Sequence, residues 1–166
     1  MAIRDRIAQV FLWLAVIGLS VWLGGTIYQM VVVVPMWSHS PPESVRTFFT
    51  ITKYNETIWN FFGPPFMIAR MIPLLAALVF GWHLRPQRRW LILATVCMVF
   101  GIVFTLVYVY PMNEILFLQA GGRQSDEEIQ AMAGQWIFAD RFRFIVGLVG
   151  FLAVLNAFRQ QVPKTR

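Results

Sequence analysis

Charge is what this chain most lacks. Only 13% of its 166 residues are Asp, Glu, Lys or Arg, against roughly a quarter in a soluble domain. Cysteine is almost absent: Cys97 stands alone, which excludes an intramolecular disulfide and any CxxC redox centre. Inside an apolar run it reads as a small packing residue. The two histidines, His39 and His83, fall in separate loops. Bis-histidine haem ligation, which needs two on facing helices, is therefore excluded, and so is a zinc cluster, which needs several nitrogen or sulfur ligands in one place. No metal or cofactor is expected. Internal repeats, low-complexity tracts and an appended soluble domain are also missing.

Hydrophobic residues make up 58% of the chain and the mean hydropathy is +0.61. They gather into four stretches, near 7–34, 61–82, 90–110 and 136–158. Each is long enough to cross about 30 Å of hydrocarbon, which takes roughly 20 residues. Trp and Tyr mark several of the ends, as an interfacial aromatic belt does. The first stretch follows Arg4 and Arg6 like a signal peptide, but it is too long for an h-region of roughly 7–15 residues and reads as an uncleaved span. The expected fold is all-α, a single-domain integral membrane four-helix bundle over 1–166, with short helices in its loops.

The net charge of +6 does not point to nucleic acid, because the basic residues flank spans and form no face interleaved with aromatics. The partner they imply is the lipid bilayer. Arg4 and Arg6, then Arg85, Arg88 and Arg89, then Arg159, Lys164 and Arg166 fall on one side. The other side holds Arg46, Lys53 and Arg123 with most of the acids: Glu43, Glu56, Glu114, Asp126, Glu127 and Glu128. By the positive-inside rule both termini are cytoplasmic and the two long loops lie outside. In the first long loop, 44–54 reads as a short interfacial helix. In the other, Gly121-Gly122 marks a turn, and Ser125 with Glu128 makes a capping box for a short helix leading into the fourth span.

Ionisable residues inside spans are costly and tend to be functional. Arg70, Asp140, Arg141 and Arg143 are the cases here. Trp136, Asp140 and Arg143 are spaced i, i+4, i+7 on one helical face. At about 1.5 Å per residue, Asp140 lies roughly 6 Å and Arg143 roughly 10 Å inward of Trp136. Arg70 shares a stripe with Phe62, Phe66 and Pro73, and Tyr28 shares one with Gly24, Val31 and Pro35. Asn113 and Glu114 close the third span. All four spans thus bring polar or aromatic groups to the outer half of the bundle, and almost none to the inner half.

Plain structural roles compete at each position. Asp140 and Arg143 can neutralise each other as structural glue, and Arg141 points about 100° away and can snorkel. Arg70 has no acid within a turn, so its partner is expected from another helix, Asp140 or Glu114. Tyr28 and Trp136 can be belt aromatics. Gly24-Gly25 permits close helix approach, or makes room for a ligand.

The segment Tyr110-Pro111-Met112-Asn113-Glu114 resembles the P-x-N-E motif of the anthrone oxygenase-like family, also called domain of unknown function 1772. The run from Trp136 to Arg143 resembles its W-x-x-x-N-x-x-R at the same spacing, with Asp140 where the family has asparagine. Tyr28 to Pro35 resembles its first helix, and Asn60 with nearby aromatics the start of its second. The resemblance implies a site in the outer half of the bundle, cofactor-independent oxidation of a lipophilic anthrone- or quinone-like aromatic, and a plasma (inner) membrane of bacterial type. The implied parts are Asp140 or Glu114 as base, Arg143 and Arg70 as oxyanion stabilisers beside Asn113, and Trp136, Tyr28, Phe66 and Phe62 as an aromatic slot. A non-enzymatic small-molecule binder, or an accessory subunit in a homo-oligomer or larger complex, is the alternative. A transporter is disfavoured, because the polar groups stop halfway across.

Overall fold

The computed structural model describes residues 2–51 and 60–160. Lys53, Glu56, Lys164 and Arg166, with the last part of the 44–54 helix, lie outside these. Among the described residues there is helix and no strand. The elements are α1 (Ile3–Tyr28), α2 (Val34–Ser38), α3 (Glu43–Ile51), α4 (Pro64–Phe80), α5 (Arg85–Phe104), α6 (Tyr110–Asn113) and α7 (Asp126–Arg159). Three π-helical turns, Gln29–Val33, Thr105–Val109 and Glu114–Leu118, join them.

Local chemistry sets the helix ends. Pro64 and Pro65 open α4 and Pro86 opens α5, in first-turn positions that tolerate the missing N–H. Ser125 caps α7: its hydroxyl accepts from the Glu128 N–H at 3.3 Å, and its own N–H donates to Glu128 Oε2 at 2.9 Å. Three acids in the first turn and Arg159 in the last match the helix dipole. The capping box therefore forms as expected, but it opens a 34-residue helix that runs straight through the fourth apolar stretch, not a separate short helix. Nothing between Asp126 and Arg159 breaks the chain: no proline falls there, and Gly147 and Gly150 sit where neighbours press close.

The first and third helices also outrun their expected ends at Val34 and Tyr110. The cause is shared. Pro35 and Pro111 each sit at the first or second position of a helical segment directly after a π turn. A proline inside a helix forfeits one backbone bond and crowds the preceding turn. Widening that turn to i→i+5 spacing accommodates the ring, and the helix continues. Continuous helical stretches from Ile3 to Ser38 and from Arg85 to Leu118 result, and with Asn60–Phe80 these three are long and apolar enough to cross a membrane.

The long helices neighbour one another in the ring α1–α4–α5–α7, with α7 returning to α1. At one end, Arg4 of α1 donates to the carbonyls of Phe80 and Val79 at 3.0 and 3.2 Å, satisfying the C-terminus of α4. Asp5 meets His83 at 2.8 Å, and Trp13 packs edge-on against Phe158. The N-terminal end of the described chain therefore meets the α4–α5 turn, and the last turns of α7 lie against α1. A core of Leu12, Ala15, Leu19, Leu74, Leu91 and Val154 fills this half.

The other half has an aromatic core. Trp37, Phe117 and Trp136 pack on one another at tilted or edge-on angles, with centroids 5.2–5.6 Å apart. Val45 and Phe49 of α3 complete it. Ser44 fixes α3 by donating to the Trp37 carbonyl at 2.7 Å, and Arg46 pairs with Asp126 at 2.9 Å. Around the outside, large apolar side chains such as Val21, Ile72, Val79, Val96, Val103, Ile145 and Val149 are exposed. An apolar surface this extensive suits lipid rather than water.

Candidate functional site

Between the two cores lies a cavity of ≈ 390 Å³, within the usual range for small-molecule sites. Every long helix contributes to it: α1 through Trp22 and Thr26, α4 through Met67 and Arg70, α5 through Gly101 and Ile102, and α7 through Trp136, Arg143 and Gly147. The π turns contribute as well. Gln29, Thr105 and Leu106 belong to two of them, and Glu114, Phe117 and Leu118 to the third. Widened turns are common at functional sites because they redirect side chains that a regular helix would turn away.

Arg143 is anchored from two sides. Its Nη2 donates to Oδ1 of Asp140, one turn back, and its Nη1 donates to the Thr105 hydroxyl at 3.2 Å. Thr105 in turn donates to the Gly101 carbonyl at 2.7 Å. Asp140 is 1% exposed and does not border the cavity. It stands behind Arg143 as counter-ion and positioning group, which corrects its expected place as a base in contact with a ligand. Sharing a helix face with Trp136 was not enough, because its carboxylate folds onto the guanidinium.

Arg70 is 8% exposed. Its guanidinium carbon lies 4.5 Å from the centre of the Trp22 ring, a cation–π contact. Among the described residues neither Asp140 nor Glu114 pairs with it, contrary to expectation, and its Nε and Nη1 have no hydrogen-bond partner. Two glycines make this seat. A Cβ on Gly147 would stand 2.3 Å from the Trp22 ring, and one on Gly18 would lie 3.5 Å from Arg70 Cβ. Neither Trp22 nor Gly147 was singled out in the sequence. Their partnership is between helices and leaves no mark on the spacing within either.

Trp136 is 1% exposed, and its Nε1 donates to Oδ1 of Asn113 at 2.6 Å. Both border the cavity with Tyr110, and Glu114 borders it at an exposed position. Phe62 lines the opposite wall. Phe66 does not: it stacks on Phe61, 4.9 Å away. Phe61 in turn sits over Gly25, where a Cβ would be 2.2 Å from its ring, so the close-approach role expected of Gly24-Gly25 falls on Gly25. Tyr28 is 61% exposed and outside the lining. It faces outward because the α1 face turned to the cavity carries Trp22, Thr26 and Gln29. Arg141 is exposed, as a snorkelling residue is. Cys97 is half-buried on the cavity wall. Among the described residues no three His, Cys, Asp or Glu side chains gather as a metal site would require.

Comparison with known proteins decides the family. The family model for anthrone oxygenase matches residues 58–153, more than half of the 166-residue chain. The chain belongs to the anthrone oxygenase family. No curated protein and no solved structure matches it. Within this anthrone oxygenase family chain, the matched segment carries Arg70, Asn113, Glu114, Trp136 and Arg143. Trp22 and Gln29 lie before it, on the helix that closes the cavity.

Proposed function

We propose that the protein is a four-span integral membrane oxygenase acting on a lipophilic, anthrone-like aromatic with molecular oxygen and no cofactor. One observation carries this reading: two guanidinium side chains, Arg70 and Arg143, share a largely apolar cavity in a member of the anthrone oxygenase family. A hydroxylated aromatic ketone fits such a site, since its ring takes the apolar walls and its oxygen the cations.

The chemistry follows from the substrate class. The methylene of an anthrone, flanked by two rings, is acidic, and losing a proton gives an electron-rich phenolate. Glu114, the carboxylate on the lining, serves as base. Arg143, held by Asp140 and Thr105, stabilises the oxyanion. The carbanion-like carbon then reduces oxygen and forms a C–O bond. Loss of water, which takes away the second methylene hydrogen and one oxygen atom, leaves a second carbonyl. Anthrone and oxygen give anthraquinone and water, with carbon oxidised and oxygen reduced by the same four electrons. Asp140 acts through Arg143, and Asn113 holds Trp136 as a flat wall.

The charge distribution supports an orientation with both termini cytoplasmic, and the family resemblance supports a plasma (inner) membrane of bacterial type. The cavity then lies in the extracytoplasmic half, and a lipophilic substrate reaches it from the bilayer. A second reading, a non-enzymatic binder or an accessory subunit of a homo-oligomer or larger complex, draws support from one fact. The acid nearest Arg143 is occupied as its counter-ion.

Purified protein supplied with an anthrone under air tests the proposal. Quinone absorbance should appear with one oxygen consumed per anthrone, and the Glu114→Gln and Arg143→Ala variants should lose that rate. Tight anthrone binding with no oxygen uptake above the uncatalysed rate overturns the oxygenase reading in favour of the binder.

A further inference from the structure

We infer that Arg70 is a recognition site for a carboxylate on the ligand, distinct from the reacting oxygen held by Arg143. The inference rests on the oxygenase reading only for the aromatic part of that ligand. The charge balance inside the protein motivates it. Arg143 has its counter-ion in Asp140. Arg70, on the same cavity, has none among the described residues, and Trp22 supplies only the face of its ring.

Leaving a buried cation without an anion is costly, because the interior replaces little of the lost hydration. Here the cost is built in. Gly147 makes room for the Trp22 ring, and that ring holds the guanidinium beside the cavity while occupying none of its N–H donors. Two of those nitrogens, Nε and Nη1, lie buried and unpartnered. Paired with Nη2, either of them makes a planar fork that matches a carboxylate, which can accept two parallel hydrogen bonds. With Arg143 already donating to Asp140 and Thr105, the two arginines are not equivalent. One is half-saturated, and the other is vacant.

A carboxylate seated on Arg70 has two sources: an aromatic acid, or a fatty acid from the bilayer. Calorimetric titration of the purified full chain in detergent distinguishes them, using two isosteric pairs: anthracene-2-carboxylate with 2-methylanthracene, and decanoate with decanol. The acid of at least one pair should bind at least about tenfold more tightly than its neutral partner, and the tighter of the two acids names the source. In Arg70→Gln the acid should fall to the affinity of its neutral partner. Arg70→Lys, which keeps the charge without the fork, should retain part of the preference and serves if the glutamine variant does not fold. Equal affinities within both pairs, or a preference that survives in Arg70→Gln, overturn the inference. The titration needs no turnover. Absence of any acid preference in the unmutated chain while it still oxidises anthrone therefore ends this inference alone, and an acid preference without anthrone oxidation ends the oxygenase reading alone.

Discussion

Trp136 donates its indole N–H to Oδ1 of Asn113 across 2.6 Å, joining the helix that carries Arg143 to the π-interrupted helix that carries Glu114. The two residues lie 23 positions apart, yet the bond fixes one wall of the cavity. Trp136 is almost fully buried, so its donor has no water to turn to.

Replacing Asn113 with Leu leaves that donor unsatisfied and should cost about 1–3 kcal/mol. Trp136→Phe removes the donor at the expense of packing against Trp37. The double variant should lose less than the sum of the single losses, since the two residues form one unit. Denaturation midpoints in detergent measure this, and full additivity would contradict the coupling.

Asp140 and Arg143 should separate kinetically. Asp140→Asn keeps an acceptor for Arg143 Nη2 and should retain anthrone oxidation at a reduced kcat. Arg143→Ala should abolish it, and by leaving Asp140 buried and unpaired should cost about 3–5 kcal/mol of stability. Equal loss of activity in two folded variants would mean that the Asp140 carboxylate meets the substrate itself.

Gly147 should be intolerant for a reason far from its own helix. In Gly147→Val the new side chain meets the Trp22 ring, so the seat of Arg70 shifts and ligand affinity should fall about tenfold or more. Gly134→Ala, where a Cβ meets nothing within 4 Å, is the matched control and should bind as wild type. Calorimetry reads both, and equal affinities would show that Trp22 does not seat Arg70.

The proposed topology predicts which cysteines a membrane-impermeant maleimide reaches. With Cys97 replaced by Ser, a cysteine at Ser40 should label in spheroplasts and one at Arg88 only after lysis. The opposite pattern would invert the orientation drawn from the basic residues.

The apolar stretches, the Ser125 cap and the gathering of Arg70, Asn113, Glu114, Trp136 and Arg143 at one end were all legible in the sequence. They depend on hydropathy, capping chemistry and depth along a helix, each of which is local. What escaped depended on helix rotation and on contacts between helices. Tyr28 and Phe66 stood on plausible stripes, but a helix apolar nearly all round gives little signal of which face turns inward. The π turns before Pro35 and Pro111 were likewise hidden. A proline announces a disturbance without saying whether the helix stops, kinks or widens. Trp22, seated against Gly147 and beneath Arg70, became visible only once three helices were placed together.

The central claim is that a flat aromatic occupies the space between Arg70 and Arg143, and a structure of the protein saturated with anthracene-2-carboxylate tests it most directly. The account predicts the ring system against Trp136 and Phe62, with the carboxylate on the guanidinium of Arg70. A ligand lodged elsewhere, or arginines turned outward to lipid headgroups with the cavity closed, would contradict it.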